Sequence, residues 1–322
     1  MRQWLYWLLL LVIAHPALAT DGVSEISQTC ATQTGCFSGD TTGFPVTITT
    51  PGSYRLTSRI VLPNENTDGI LVSTSSVTID LNGFEIAGPV TCSGGPIVCA
   101  PAGGTGSGVD RSLTTNRSIT VKNGSVTGTG STGIFLGEQA EVTNVRVRWS
   151  GAGGIRTSSS SLITGNAVFE NSGDGILVGV GSTVTSNSAY HNSLDGIETN
   201  SGSTISNNSA SFNGGSGIDT LSASTVSGNT AYNNTSNGID AGLDCTIIGN
   251  TAYSNTLDGI QVGGGTMVQK NNAQNNTGFG MVLDLRATYR ENTVGDNTGG
   301  TVQENGAIDM GSNSCNGTTS CP

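Results

Sequence analysis

The chain has 322 residues, 23 of them acidic against 12 basic, for a formal net charge of −11. Charged residues make up only 11% and aromatics 5%, while 48 residues are glycine, about twice the usual share. Helical bundles need Ala, Leu, Glu and Lys and are excluded by this composition; nucleic acid needs a basic partner and is excluded by the charge.

In chain order, the first segment reads as an address. Arg2 supplies a positive charge, Leu5 to Ala14 is apolar, and Ala17-Leu18-Ala19 is a small-x-small cleavage site. Residues 1–19 are therefore expected to be a secretory signal, removed from the mature protein. No later run is long and apolar enough to span a membrane, so the expected location is secreted or periplasmic. Residues 20–45, with Cys30 and Cys36, are expected to form an N-terminal cap. Val46–Ile48, Tyr54–Leu62, Gly69–Val72 and Val77–Leu81 read as strands, with Asn82-Gly83 at a corner. Residues 88–108, carrying Cys92 and Cys99, read as an inserted loop.

From there an internal repeat takes over. Gly133, Gly154, Gly175, Gly196, Gly217, Gly238, Gly259 and Gly280 are spaced by 21 residues without a slip, each followed by Ile or, at 281, Met. A second apolar column is Val142, Ile163, Val184, Ile205, Val226, Ile247 and Val268, and a small one is Ala189, Ala210, Ala231, Ala252 and Ala273. Two columns are pure asparagine: one runs from Asn166 and Asn187 to Asn292, the other from Asn171 and Asn192 to Asn297. Three short β-type segments per 21 residues make one coil of a solenoid, and stacking coils about 4.8 Å apart sets identical residues above one another. The apolar columns become the core. The asparagines can bond neighbouring coils at the corners and tolerate the left-handed backbone that a corner needs. The predicted fold is all-β: a single-stranded parallel β-helix of 21-residue coils over residues 46–301, with capped ends. Residues 302–322, with Cys315 and Cys321, form the far cap, since an open end would be an unpaired edge.

Six of the seven cysteines fall into close pairs, Cys30/Cys36, Cys92/Cys99 and Cys315/Cys321, which read as local disulfides of an oxidising compartment; Cys245 is left unpaired.

The unit Val-x-x-Asn-x-Ala-x-x-Asn-x-x-x-Gly-Ile, as in Val226 to Ile239, resembles the β-helix repeat of the pectate-lyase-like superfamily, including its NosD-like, carbohydrate-binding and sugar-hydrolase groups. The resemblance covers about residues 45 to 300 and implies right-handed coils. Other signatures of its enzymes, such as Gly-His-Gly, Arg-Ile-Lys and Asp-Pro-His-Asp, do not occur, and the sequence has only two lysines, Lys122 and Lys270. The expected function is therefore an exported, monomeric module that binds a polysaccharide or serves as a surface structure. The alternative is a polysaccharide lyase or glycoside hydrolase with an atypical acidic site.

The residue after each Ile reads Arg156, Leu177, Glu198, Asp219, Asp240 and Gln261, and alternation points it outward. Asp195 and Asp258 adjoin this row. The six expected ligand-binding residues are thus Arg156, Asp195, Glu198, Asp219, Asp240 and Asp258. Calcium is the one cofactor that the row suggests, at Glu198, Asp219 and Asp240. The same carboxylates could serve as acid and nucleophile at a spacing that suits retaining glycoside hydrolysis. A further column, Trp149, Glu170, His191, Phe212, Asn233 and Ser254, mixes aromatic and titratable groups at a corner, beside Phe169, Tyr190, Tyr232 and Tyr253.

Overall fold

The computed structural model describes residues 22–318 and Cys321, apart from positions 96 and 114; the expected secretory signal lies outside them. One coil shows the logic of all. Ile197–Thr199, Thr204–Ser206 and Ser209–Ser211 are its three strands, with Ile197, Thr199, Ile205 and Ala210 turned inward and buried. Each residue then pairs in parallel with the residue 21 further on: Ile197 with Ile218, Ile205 with Val226, Ala210 with Ala231. Repeating this gives a 12-stranded front sheet, which contains every Gly-Ile strand, and a 23-stranded sheet that bends around the rest of each coil. The core is the shaft between them.

The bend explains one difference from the sequence expectation. Tyr54–Leu62 is not one strand but two, Gly52–Leu56 and Ile60–Val61, because the chain crosses the corner of the bent sheet there. The next coil breaks there too, between Val77–Asp80 and Glu85–Ala87; in the two after it the same corner is passed without a break, within Ile119–Thr127 and Glu141–Arg148, through left-handed Asn123 and Asn144.

The two asparagine columns are hydrogen-bonded ladders. Asn229 Oδ1 accepts from the backbone N–H of Asn208 at 2.9 Å and from Asn208 Nδ2 at 3.0 Å. Its own Nδ2 donates to Asn250 Oδ1 at 3.0 Å and to the carbonyl of Ile205 at 3.0 Å. The amide thus uses both donors and both acceptor sites, which is what makes a fully buried Asn tolerable. The left-handed residue is not the ladder asparagine, as its chemistry suggested, but the residue before it. Ser186 and Asn207 precede one ladder, and His191 and Phe212 precede the other. The ladder residue has to direct its own N–H down the stack, so the turn is made one position earlier.

The glycine column has a steric cause. A Cβ on Gly217 would lie 2.7 Å from Asn234 Nδ2, 2.7 Å from the Gly238 carbonyl and 2.9 Å from the Ala231 methyl. Glycine, alanine and asparagine columns interlock, and none can grow without displacing another.

A third, shorter ladder was not anticipated. Ser161, Ser182, Ser203 and Ser224 are buried at one corner, where Ser161 N–H donates to Ser182 Oγ and Ser203 N–H to Ser224 Oγ. Cys245 occupies the next position of this column. Its N–H donates to Thr266 Oγ1 at 3.1 Å and its Sγ lies 3.4 Å from the Leu221 carbonyl. The unpaired thiol is a substitute hydroxyl, and burial pushes its pKa up.

At the start of the described chain, Val23–Ile26 adds a strand beside Gly52–Leu56, and a short helix, Gln28–Gln33, comes after it; neither is marked in the sequence. All three local disulfides form. Cys92–Cys99 bridges an antiparallel hairpin, Thr91–Ser93 with Val98–Ala100, inside the inserted loop. Stacking runs further than the repeat columns suggested. Asn313 continues the ladder below Asn292, and Ser314–Cys315 pairs with Thr293–Val294.

These ladders set two stability outcomes. Asn229→Leu and Asn234→Leu each orphan buried amides and should cost about 1–3 kcal/mol, while Thr225→Leu on the exposed face leaves the denaturant midpoint near wild type. Cys245→Ser restores the hydroxyl of its column, so it should match or exceed the wild-type melting temperature.

Candidate functional site

The outward row of the front sheet is assembled as its spacing demands. Glu198 pairs with Asp219, and Asp219 with Asp240, on adjacent strands; Arg156 lies beside Leu177, which separates it from Glu198. Gln261 continues the row below Asp240 and Phe135 continues it above Arg156.

Asp195 and Asp258 have a structural duty as well. They stand at the corner before the front-sheet strand, where Asp195 Oδ1 accepts from the Ser216 N–H at 2.5 Å and Asp258 Oδ1 from the Phe279 N–H at 2.6 Å. Asp174 and Asn237 fill the same corner position and accept from the N–H groups of Asp195 and Asp258. Asp68 does so near the first coils, toward Ser107. The corner takes an amide or a carboxylate oxygen alike as acceptor, so each Asp leaves its second oxygen for other work.

Among the described residues, Asp174, Asp195 and Glu198 form a close group, one oxygen from each lying within 4.8 Å of the others. Asp219 and Asp240 extend that group along the stack, and Asp258 adjoins Asp240. Asp174 is absent from the residues expected from the sequence, although the recurring Asp-Gly-Ile at 174, 195 and 258 was the signal that could have found it.

The electrostatics result from crowding. Partial burial, then the charges of Asp240, Asp195 and Glu198, push the Asp219 carboxyl up to about 7. Burial also raises Asp195, Glu198 and Asp240 from the ordinary carboxylate range. Around neutral pH, Asp219 is therefore divided between protonated and ionised forms.

The other end of the row is basic and aromatic. The guanidinium carbons of Arg111 and Arg156 lie 4.5 Å and 5.3 Å from the centre of the half-buried Phe135 ring. Arg111 also donates to Ser158 Oγ at 3.0 Å. Shallow hollows of about 290 and 350 Å³ open on either side of exposed Arg156, one reaching Asn200 and the other Asp174. This arrangement can stack one planar or ring-shaped group and hydrogen-bond a row of others at the coil spacing.

A family model described as a right handed beta helix region matches residues 107–256. The chain is a right-handed parallel β-helix. Among solved structures, the β-helix superposes on the catalytic domain of Agl-KA with a TM-score of 0.60 at 16% identity, over 81% of this chain and 56% of that one. The A-module of the mannuronan C-5 epimerase AlgE4 of Azotobacter vinelandii gives 0.54 at 14% identity, over 81% and 91% of the two chains. The Dettilon tailspike protein gives 0.54 at 15%, over 91% and 62%. At such identities the likeness carries the fold alone. No curated protein matches the chain by sequence.

The crowded carboxyl makes a pH-dependent prediction. A folded-state pKa near 7 against about 3.8 unfolded means that Asp219 destabilises the fold above pH 7 and ceases to do so as pH falls toward 4. Asp219→Asn should therefore raise stability at pH 8 by roughly 1–2 kcal/mol, allowing for the solvent that reaches this carboxylate, and the gain should shrink steadily toward pH 4. Urea unfolding of both proteins across that range checks it.

Proposed function

We propose that this exported β-helix protein binds a polysaccharide along the outside of its coils and holds it without cutting it. The observation that carries the proposal is the outward row of the front sheet. It sets an aromatic ring between two guanidinium groups at Phe135, then hydrogen-bonding side chains at every coil from Glu198 to Gln261. A polymer is the ligand whose own repeat suits such a regular row. The AlgE4 A-module, an epimerase of the polysaccharide mannuronan by its name, is an instance of this scaffold meeting such a ligand.

Charge narrows the ligand class. The carboxylates along the lower part of the row repel a polyanion, so the fitting glycan is neutral or carries amino groups. Export is supported by the three disulfides and by the signal-like first 19 residues. Among the described residues no helix is long and apolar enough to cross a membrane.

A second reading rests on Asp219. A carboxyl near 7 beside the carboxylate of Glu198 has the split character of an acid and nucleophile pair, which makes a glycoside hydrolase the alternative. Incubation with neutral and amino-sugar polysaccharides separates the two. The binding proposal expects retardation in affinity gels, weakened in Arg156→Ala, with no reducing ends or unsaturated products released. Product formation that Asp219→Asn abolishes would establish the hydrolase.

In the binding reading the acids meet glycan hydroxyls and hold no cation. Calcium should then raise the melting temperature no more than sodium chloride of equal ionic strength. A calcium-specific rise that Asp195→Asn removes would instead place a cation among Asp174, Asp195 and Glu198. Asparagine can keep the corner hydrogen bond, as Asn237 does, so this variant tests the charge and not the fold.

A further inference from the structure

A second feature lies away from the front sheet, at the corner where the bent sheet ends. Here rings contact one another from coil to coil. Phe169 stacks on Tyr190 at 4.7 Å, His191 on Phe212 at 5.1 Å and Tyr232 on Tyr253 at 5.7 Å, with Phe212 meeting Tyr232 edge-on at 5.4 Å. The corner position itself is left-handed in coil after coil. Asn233, Asn275 and Asp296 meet that demand with side chains that favour it. Trp149 and Phe212 do not, yet they occupy it (φ +57° and +56°), on either side of His191 in the column (φ +52°). At the other asparagine ladder the equivalent positions are Asn144, Gly165, Ser186, Asn207, Gly228, Gly249 and Lys270, with no ring among them.

The aromatic substitutions coincide with the inserted loop. Trp149 packs against the root of that loop, in a cluster with Val90, Cys92, Cys99 and Ile97. The loop then reaches along the corner, where Ser193 Oγ donates to the Ile97 carbonyl at 3.3 Å. Beyond this tie, His191, Phe212, Asn233 and Thr235 face Gly95 and Ile97 across a cleft of about 520 Å³, within the size range of small-molecule sites. Phe212 is 46% exposed there, against the ordinary tendency of a Phe side chain. Of the described residues lining the cleft, none is acidic, and His191 is the only one that could be cationic.

We propose that this cleft is a second saccharide site, taking one neutral pyranose ring against Phe212, with the Asn233 amide and the His191 imidazole hydrogen-bonding its hydroxyls. The ring supplies an apolar surface for the C–H face of a sugar, and the amide offers a donor and an acceptor at the rim. The lack of an arginine or lysine distinguishes it from the Phe135 site and selects against uronate units. The disulfide-bridged hairpin holds the opposite wall in place before a ligand arrives, which lowers the ordering cost of binding.

The proposal rests on carbohydrate binding but not on the front sheet, and the variants separate the two. The probes are cello-, xylo-, manno- and chito-hexaose, with alginate hexamer as the charged comparison, titrated calorimetrically into the full chain. At least one neutral hexaose should bind. Phe212→Asn should weaken it about tenfold with an unchanged or higher melting temperature, because asparagine suits the left-handed corner. Phe212→Tyr should keep the affinity, and Arg156→Ala should leave this binding unaltered. Binding of no neutral probe, binding of alginate alone, or full affinity in Phe212→Asn would each overturn the site. Loss of binding in Arg156→Ala with retention in Phe212→Asn would assign the saccharide to the front sheet alone.

Discussion

Everything in this molecule depends on one constraint: adjacent coils must match atom for atom at a 21-residue offset. A side-chain amide that bonds the same amide one coil away enforces that match, because a coil longer or shorter by one residue would leave four buried polar groups without partners. Hydrophobic burial drives the stacking but does not fix its register, since one inward Ile is much like the next. The asparagine ladders convert a non-directional attraction into a single alignment. The glycine and alanine columns then become compulsory, because the ladder amides occupy the space that larger side chains would need.

Function is arranged around this lock without touching it. The corner before the front sheet accepts Asp, Asn or Ser at successive coils, Asp195, Ser216 and Asn237 being neighbours in one column. Charge on that face can therefore vary with little consequence for the fold. Outward positions of the strands are equally free. The acidic row and the Phe135 site occupy one part of the surface, and the aromatic corner with its loop another, each grafted onto a shaft indifferent to both.

The periodic part of the structure was legible from the sequence because stacking translates position in the coil directly into position in space. Inward Ile, Val and Ala, outward Glu198, Asp219 and Asp240, and both ladders emerge from counting. What escaped was of two kinds. Some features repeat but are masked by other chemistry: Cys245 is the fifth member of a column whose other four members are serines, and Asp174 shares its Asp-Gly-Ile with Asp195 and Asp258 but is followed by Leu177 where the row has an acid or an amide. Others do not repeat at all. The six-residue helix, the split of Gly52–Val61 and the loop reaching the His191–Phe212 corner depend on contacts between parts of the chain that share no column. The crowding that raises Asp219 needs distances, which a sequence does not contain.

The ladders have one more property. In each, the oxygen accepts from the amide of the preceding coil and the N–H₂ group donates to the amide oxygen of the following one, without exception from Asn187 to Asn276. Backbone dipoles in a sheet largely cancel, but these side-chain dipoles add, so the shaft has an axial polarity as an α-helix does, with its positive end at the C-terminal coil. The last amide of the longer ladder, Asn313 Nδ2, donates to the carboxylate of Asp309 at 2.7 Å. A negative charge thus closes the donor end of the stack, doing for a column of side chains what an acidic N-cap does for a helix.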